Sequence, residues 1–272
     1  RPPNLPKYAG LAALTTTKDF RVTTELRIQK WLSGLGIASR REAEKMLLEG
    51  RISINGQVTK EPGTKIDPSK DQIAVDGKII QDRQPPKVYW MLNKPDLTLT
   101  SRQREEGKPT IFELPALKHV KTVVNPIGRL DFRTEGLLLL SNDGELIHRL
   151  THPSYKITRT YQVLFSKRLK PDEEKAIRQG IVLEDGPTQG ADLQFLQSIE
   201  LGATRGAYYL IKIREGRNRI VRRTFESFDG RVLRLIRMAF GDLALPDTLA
   251  PGDYRQLNSA EIANLKDAVG LK

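Results

Sequence analysis

Residues 128–144 read GRLDFRTEGLLLLSNDG, and this stretch decides how the larger part of the chain folds. The uninterrupted apolar run at 137–140 is typical of a strand that is buried on both faces. The Asn-Asp-Gly that ends the stretch predicts a turn that closes the strand. Neither element requires Asp131, an acidic residue between Arg129 and Arg133, on the loop that leads into the strand. The ordinary explanation of Asp131 is an Asx turn, and a functional one needs support from elsewhere in the chain.

The chain carries a large excess of positive charge. Its 272 residues include 45 Lys and Arg against 33 Asp and Glu, a formal net charge of +12. Such an excess favours a polyanionic partner, either nucleic acid or an acidic membrane surface. Nucleic acid is preferred, because no apolar run approaches the ~20 residues of a membrane span and no lipid-facing amphipathic helix stands out. The absence of cysteine excludes disulfides, thiolate catalysis and cysteine-based zinc sites, and it fits a reducing compartment.

The first 83 residues predict a tail followed by a small α+β domain. Residues 1–24, rich in Pro and then in Thr, lack sustained periodicity and are interpreted as an extended tail or linker. We expect one domain at 25–83, built from short helices and strands. Its predicted parts are a helix within 24–36, a helix within 39–50 that opens with a Ser39–Glu42 capping box, hairpins that turn at Asn55-Gly56 and Asp76-Gly77, and a linker at 81–87.

From 87 to 272 we expect a second α+β domain on a largely antiparallel sheet, because the strand runs show no regular βαβ alternation. The candidate strands are 88–92, 137–140, 161–165, 207–213 and 232–238, and the candidate helices are 171–180 and 218–228. Positive charge concentrates in this part: residues 205–237 carry a net charge of +7, whereas residues 25–83 carry +2. The strongest field for a polyanion is therefore expected around 214-REGRNRIVRR-223.

The run SRREAEKMLLEGRISINGQV at 39–58 resembles the S-four domain, a small RNA-binding fold first known in a ribosomal protein. Its order of helix, helix and hairpin, together with the motif positions Arg51, Asn55 and Gly56, carries the resemblance. Two arginines in the first turn of a helix would suit a bound phosphate. For this domain we assign RNA binding to Lys30, Ser39, Arg40, Arg41, Arg51 and Asn55.

Residues 128–144 resemble the signature of pseudouridine synthases of the RsuA/RluB type, whose usual form is GRLD, two variable residues, T, one variable residue, GLLLLTNDG. Ser141 in place of Thr is the one departure at the fixed positions. Further matches follow in the family's order at 158-TRTYQV-163, 215-EGRNRIVRRTFE-226 and 232-VLRLIRMAFGDLALP-246. In the second of these, Ile220 replaces the usual Gln and Thr224 the usual Met. The resemblance implies an S-four-type helix–helix–hairpin domain followed by a pseudouridine-synthase domain on a largely antiparallel mixed sheet.

The resemblance assigns the catalytic roles to three residues. Asp131 is the catalytic nucleophile, Tyr161 lies against the uracil face as a candidate acceptor of the carbon-5 proton, and Arg222 is the cationic partner of Asp131. Arg129, Leu130 and Leu235 are assigned to the substrate pocket. RNA binding in this domain is assigned to Asn93, Lys94, Arg217, Arg219 and Arg223.

The segment 89-YWMLNKPDLTLTS-101 supplies one more match. It carries the family's Asn-Lys-Pro element at Asn93, Lys94 and Pro95. Leu97 stands where the family commonly has glycine, so we expect a different turn there.

The chemistry of uridine isomerisation gives a carboxylate work to do. The bond from ribose to the uracil nitrogen breaks, the base turns, and carbon 5 joins the sugar. The carboxylate of Asp131 could attack the sugar, stabilise oxocarbenium character or remove a proton from the 2′ carbon, and the sequence leaves these routes open. Each route needs a charged but poorly hydrated carboxylate, and therefore a cation to offset desolvation. The target base must also leave its stack and enter a pocket.

We expect a ribosomal RNA pseudouridine synthase that uses no metal and no organic cofactor. Its expected partner is ribosomal RNA or a pre-ribosomal particle. The EGRNR and RREAE motif sequences are closer to those of enzymes that act on large-subunit RNA. The protein is expected to be a monomer that does not bind membranes. The expected location is the cytoplasm of a bacterial-type cell, or an organellar matrix or stroma if a targeting peptide has been removed before Arg1.

Three rival interpretations are open to test. His148 and His152 have the i, i+4 spacing of metal ligands, but no third ligand accompanies them. Asp131 and Glu135 could form a glycosidase pair, which fits a basic chain poorly. The rival from another class is a catalytically silent RNA-binding factor for ribosome assembly on the same fold. Retention of Asp131, Tyr161 and Arg222 argues against it.

Overall fold

The computed structural model describes residues 25–202 and 204–271, which divide along the chain into two compact units, the first ending at Arg83 and the second beginning at Gln84. The predicted tail, residues 1–24, lies outside the described residues. Among the helices that the structure describes, none combines the length and apolar character needed to cross a membrane.

The first unit is a small α+β fold with one hydrophobic core. Its elements are β1 Leu26–Arg27, α1 Ile28–Gly34, α2 Arg40–Leu48, β2 Ile52–Ile54, β3 Gln57–Thr59, β4 Lys65–Ile66, β5 Ile73–Val75 and β6 Lys78–Ile79. Strands β2, β3, β5 and β6 form an antiparallel sheet in the order β3-β2-β5-β6, and β1 pairs with β4. The core is built from the helix faces and the inward strand residues, and it includes Trp31, Leu47 and Ile52.

Local sequence signals explain this unit well. Both predicted hairpin turns are confirmed, because Asn55-Gly56 and Asp76-Gly77 have positive φ at both residues, as a type I′ turn requires. The predicted start of α2 is also confirmed, since the Ser39 hydroxyl accepts from the Glu42 amide at 3.1 Å. This is only one half of the predicted capping box.

The second unit is built on a nine-stranded sheet. Its helices are α3 Gly144–Thr151, α4 Pro171–Gln179, α5 Ile220–Glu226 and α6 Ser259–Asp267. Its strands are β7 Tyr89–Lys94, β8 Asn125–Pro126, β9 Glu135–Ser141, β10 Arg159–Phe165, β11 Val182–Leu183, β12 Gly186–Pro187, β13 Asp192–Leu201, β14 Thr204–Ile213, β15 Val232–Phe240, β16 Leu243–Ala244 and β17 Tyr254–Gln256.

The sheet is mixed but largely antiparallel, as predicted. Its strand order is β13-β14-β10-β15-β9-β7-β17, with β16 beside β15, β8 beside β9, and β11 and β12 as a separate hairpin. The pair β9 and β15 is parallel, and the other strand pairs of the described sheet are antiparallel. The five candidate strands and both candidate helices are confirmed in position.

The run of four leucines forms the centre of the sheet. Leu138 and Leu140 contribute to the core on one face of β9, and Leu137 and Leu139 contribute to the core on the other. A strand with apolar side chains on both faces must be covered on both sides. Helices α4 and α5 supply side chains to the first core, and α3 and α6 supply them to the second.

Several parts of this unit differ from the sequence prediction. The Asn-Asp-Gly after β9 does not form the predicted turn, because Asp143 caps α3 by accepting from the Leu146 amide at 3.4 Å. A cap and a turn use the same side-chain acceptor, and the apolar face of residues 144–151 selects the helix. Helices α3 and α6 were not predicted, and neither were strands β8, β11, β12, β13, β16 and β17.

Candidate active site

Asp131 lies on the loop between β8 and β9, and its carboxylate has no hydrogen bond or ion pair to any described residue. The loop turns tightly, since the Thr134 amide donates to the Asp131 carbonyl at 3.0 Å. The preceding Leu130 is buried and held by Thr100, whose hydroxyl donates to the Leu130 carbonyl at 2.8 Å. The backbone is therefore fixed while the half-buried carboxylate remains free to act.

Lys94 lies beneath this loop, at the end of β7. Its side chain is 0% exposed, and Nζ donates to the carbonyl oxygens of Thr134 at 2.8 Å, Pro95 at 3.0 Å and Phe132 at 3.4 Å. Burial lowers the pKa of Lys94 to about 8, while the carboxylates of Asp96, Glu135 and Asp131 oppose the shift. A buried cation therefore fixes the backbone of the Asp131 loop.

The prediction that Asn93 and Lys94 contact RNA is wrong for the described unit. Lys94 has no exposed surface, and the buried Asn93 donates its amide to the Leu249 carbonyl at 2.7 Å. Both side chains satisfy backbone carbonyls inside the protein. Leu97, three residues beyond Lys94, adopts a left-handed φ of 53°, so the turn there has the conformation that glycine favours.

Arg222 lies behind the same loop, on α5, and is 6% exposed. It donates to the Arg133 carbonyl at 2.7 Å and to the Val232 carbonyl at 3.0 Å, and no direct ion pair joins it to Asp131. Burial lowers the pKa of Arg222 and Asp131 opposes that shift, so the two charges interact at longer range. Arg222 therefore holds the loop that carries Asp131, and its role as the cationic partner of Asp131 stays a prediction.

Asp131 faces a cleft of about 670 Å³ whose walls come from β10, β14, β15, α5 and the segment after α3. Tyr161, which is 8% exposed, lies on its floor. The apolar part of the lining suits a flat base, and its basic part suits a phosphodiester chain. The apolar lining consists of Leu130, Ile157, Ile213, Ile220, Val221 and Leu235, and the basic lining of Arg129, Lys156, Arg159, Arg214, Arg217, Arg219 and Arg237.

The structure brings most of the predicted site residues of this unit together. The seven that line the cleft are Arg129, Leu130, Asp131, Tyr161, Arg217, Arg219 and Leu235. Arg223 lies apart from them, because its guanidinium pairs with Asp185 through two bonds, at 2.7 and 3.0 Å. Arg217 is also engaged, with Asp185 and Glu215, both at 2.9 Å. These two arginines bind the β11–β12 hairpin, and their contact with RNA stays a prediction.

The predicted RNA residues of the first unit divide in the same way. Lys30, Arg40 and Arg41 are exposed and have no side-chain partner among the described residues. Arg51 pairs with Asp76 through two bonds of 2.8 and 2.6 Å, and Asn55 donates to Asp71 at 2.9 Å. Those two motif residues hold the hairpins together. Their contact with RNA stays a prediction, as does that of Ser39, whose hydroxyl caps α2.

Sequence reasoning missed several residues of the cleft. Arg159 and Arg237 were recognised only as parts of motifs, and Lys156 carries no local signal that separates it from other surface cations. Arg219 and Lys156 share an uncommon feature, a left-handed φ of 49°, which no sequence pattern predicts for these residue types.

The rival metal and glycosidase interpretations find no support in the geometry. The rings of His148 and His152 lie 5.5 Å apart, and the described residues contain no group of three or more His, Asp or Glu side chains able to hold a metal ion. The Glu135 carboxylate is bound on both oxygens by Arg234, at 2.8 Å each. It is therefore not a free partner for Asp131 in acid–base chemistry.

Two family models match the chain. The model described as RNA pseudouridylate synthase matches residues 88–227, and the model of the S-four domain (S4 domain) matches residues 26–73. The first covers the Asp131 loop, Tyr161 and Arg222, and the second covers both helices of the first unit.

Several known proteins are similar over nearly the whole chain. An uncharacterised RNA pseudouridine synthase of Aquifex aeolicus is 42% identical over 251 residues, which are 91% of this chain and 96% of that protein. The ribosomal large subunit pseudouridine synthase B of Bacillus subtilis is 38% identical over 241 residues, 88% of this chain and 95% of that protein. A crystal structure of a pseudouridylate synthase, 30% identical, aligns with a TM-score of 0.61 over 88% of this chain and 99% of that one.

Proposed function

The chain belongs to the RNA pseudouridylate synthase family, and we propose that it isomerises a specific uridine in large-subunit ribosomal RNA with Asp131 as the nucleophile. The observation that carries this proposal is the state of Asp131. Its carboxylate has no partner of its own, on a loop that two buried cations hold in place, at the edge of a cleft that also contains Tyr161.

Electrostatics explain how Asp131 stays reactive. Lys94 and Arg222 bond to backbone carbonyls of the loop, so they place positive charge near the carboxylate without capping its oxygens. The attraction offsets the desolvation of the anion, while the oxygens keep their lone pairs for the substrate. A direct bidentate ion pair would give the same charge balance but would shield the nucleophile.

The reaction needs no further reagent. A carboxylate oxygen of Asp131 attacks ribose carbon 1′, and the bond to uracil N1 breaks with its electron pair going to the base. The base turns, carbon 5 attacks carbon 1′, and the carboxylate leaves with its electron pair. The proton on carbon 5 is then lost and N1 gains one, so substrate and product have the same atoms. Tyr161 lies where it can hold the face of the turning base.

The class of RNA substrate is inferred from the first unit and from the relatives. In the first unit, the exposed and unpartnered Lys30, Arg40 and Arg41 suit phosphate contacts, which position an RNA without reading its sequence. The relatives named ribosomal large subunit pseudouridine synthase B point to large-subunit ribosomal RNA. Binding that depends on such contacts should weaken steeply with salt.

The test is tritium release from ribosomal RNA labelled at uridine carbon 5. We expect release with the parent and none with Asp131→Asn, with RNA binding unchanged. Asp96→Asn is the matched control, because Asp96 also interacts with Lys94 and Arg222 but does not line the cleft. Tritium release by Asp131→Asn would contradict the role of Asp131 as the nucleophile. A parent that binds RNA without releasing tritium would instead support the silent assembly factor.

Mapping of pseudouridines identifies the substrate position. Ribosomal RNA from cells with and without the protein should differ at one uridine, and we expect that uridine in the large-subunit RNA. A difference confined to small-subunit RNA would overturn the assignment of the RNA while leaving the roles of Asp131 and Tyr161 intact.

A further inference from the structure

Tyr161 and Arg237 face each other across two neighbouring strands at an irregular point of the sheet. Tyr161 on β10 pairs with Arg237 on β15, whereas the preceding Thr160 pairs with Ala239, so one residue of β15 is bulged out. Bulges next to active sites re-aim a side chain that regular pairing would point elsewhere. Here the bulge lies beside the tyrosine on the floor of the cleft.

Arg237 is buried without a carboxylate. It is 2% exposed, no ion pair to it exists among the described residues, and its Nη2 has no hydrogen-bond partner. Its Nε donates to the Leu137 carbonyl at 2.7 Å, and its guanidinium lies 5.3 Å from the centre of the Phe240 ring. Isolated buried charge is costly, so an uncompensated guanidinium in a core is uncommon.

Tyr161, which lies opposite Arg237 in the strand pairing, interacts with this guanidinium. Burial lowers the pKa of Arg237, and the interaction with Tyr161 opposes that shift. Arg159, two residues before Tyr161 on β10, also interacts with it and lies 5.5 Å from the centre of the same Phe240 ring. Both arginines line the cleft, but Arg159 is half-buried whereas Arg237 is almost fully buried.

Arg237 also contacts the strand that follows the catalytic loop. Leu137, whose carbonyl it binds, lies six positions after Asp131, and the backbone of Arg237 packs directly on Gly136. A methyl group on Gly136 would lie 2.4 Å from the Arg237 carbonyl oxygen, so the two strands approach as closely as glycine allows. One residue therefore bonds to the strand behind Asp131 and lies opposite Tyr161 in the strand pairing.

We propose that Arg237 is a positioning residue, which fixes the Tyr161 hydroxyl relative to the Asp131 loop. The inference rests on the proposed function, since it names the residue that sets the distance between the two sides of the same site. This role gives a reason for a buried cation without a carboxylate. The guanidinium on β15 bridges a carbonyl of β9 and the phenol of Tyr161 on β10, the two strands that flank β15. Catalysis depends on such alignment, because a misplacement of about 1 Å can cost about a hundredfold in rate.

A double-mutant cycle in urea unfolding tests the contact itself. Arg237→Met keeps the side-chain stem and removes the buried charge, and Tyr161→Phe removes only the hydroxyl. We expect the change of urea midpoint caused by Arg237→Met to shrink by at least half in the Tyr161→Phe background. Equal changes in both backgrounds would overturn the proposal, whatever the activity of the protein.

Kinetics test the positioning role. In single-turnover tritium release, we expect Arg237→Met to lower the maximal rate at least tenfold, with RNA affinity within about twofold of the parent. Arg237→Lys, which keeps the charge, should restore part of that rate. The matched control is Arg234→Met, three residues earlier on β15, whose guanidinium pairs with Glu135 and should leave the maximal rate unchanged.

The outcomes separate this inference from the proposed function. A parent without tritium release contradicts the function, while the unfolding cycle still decides whether Arg237 and the Tyr161 hydroxyl are coupled. Coupling in unfolding together with a parent-like rate for Arg237→Met shows a purely structural contact and overturns the positioning role. If Arg237→Met does not fold, Arg237→Lys takes its place in both measurements, with the same expected signs.

Discussion

The ammonium group of Lys94 donates to the carbonyl oxygen of Thr134 at 2.8 Å, from a position with no solvent exposure. This bond joins the end of β7 to the last residue of the loop that carries Asp131. Burial of the ammonium has an energetic cost, which its carbonyl partners and the neighbouring carboxylates offset only in part. The free energy of unfolding should therefore depend on pH through the lysine beneath the Asp131 loop.

Stability should rise at alkaline pH because of Lys94. Its pKa is about 8 in the folded protein, below the ordinary value of 10.5, so between these pH values the unfolded chain binds more protons than the folded one. The free energy of unfolding then increases with pH across that window, by about 1–3 kcal/mol. Urea unfolding from pH 7.5 to 10.5 should show this rise in the parent relative to Lys94→Met. Lys175→Met, at an exposed position on α4, should follow the parent, and parallel curves for all three proteins would contradict the prediction.

Gly136 should tolerate no side chain. Its φ is 100°, and a Cβ there would lie 2.4 Å from the Arg237 carbonyl oxygen and 2.8 Å from the Arg237 amide nitrogen. We expect Gly136→Ala to lower the free energy of unfolding by about 2–4 kcal/mol. Gly144→Ala is the matched control from the same stretch, since that glycine opens α3 and has open space around it. Urea denaturation of both variants measures the difference, and a loss below about 1 kcal/mol for Gly136→Ala would contradict the close approach of β9 and β15.

Replacement of Leu97 by glycine, the residue that the family commonly has there, should stabilise the protein. Its left-handed φ of 53° strains a leucine, and its side chain is 46% exposed, so little packing is lost on removal. We expect Leu97→Gly to raise the free energy of unfolding by about 0.5–1 kcal/mol. Leu233→Gly makes the same change at a similar exposure, 47%, but in the extended backbone of β15, and should destabilise. In thermal unfolding, the melting temperature should rise for Leu97→Gly and fall for Leu233→Gly. Changes of the same sign would contradict the strain at Leu97.

The sequence identified the elements whose signals are local. The four leucines, the two hairpin turns and the alternating strands each depend on a few adjacent residues, and they are where they were predicted. Asp131 and Tyr161 could be found because their motifs are continuous in sequence. Helix α3 was missed because Asp143 serves equally as a turn residue or a helix cap, and only the packing of the following residues decides between them.

The functions of the basic residues could not be found in the same way. A lysine or arginine looks alike in sequence whether it is buried under a loop, like Lys94, or borders a cleft, like Arg219. The difference comes from partners far along the chain: Asp185, which pairs with Arg217 and Arg223, precedes them by 32 and 38 positions. Much of the positive charge in segment 205–237 therefore balances internal groups. The net charge of this segment is larger than the charge that is free to bind RNA.

Lys156 and Arg219 combine two features that point to RNA phosphates. Both line the cleft with exposed side chains that have no hydrogen bond or ion pair to a described residue, and both hold a left-handed φ of 49°. Such a conformation is unfavourable for a lysine or an arginine, so the protein accepts strain where these charges border the cleft. Replacement by glycine relieves the strain and removes the charge, which gives effects of opposite sign on folding and on binding.

We expect Lys156→Gly and Arg219→Gly each to raise the free energy of unfolding by about 0.5–1 kcal/mol while weakening RNA binding. If each side chain meets one phosphate, the slope of log affinity against log salt should become shallower by about 0.7–0.9 per substitution. Filter binding of a large-subunit ribosomal RNA transcript at several salt concentrations measures the slope. Asp229→Gly, at a φ of 53° outside the cleft, should change stability but not the slope. Lys175→Ala removes an exposed charge that does not line the cleft, as a control for net charge. Unchanged slopes for both cleft variants would show that these two cations do not contact the RNA backbone.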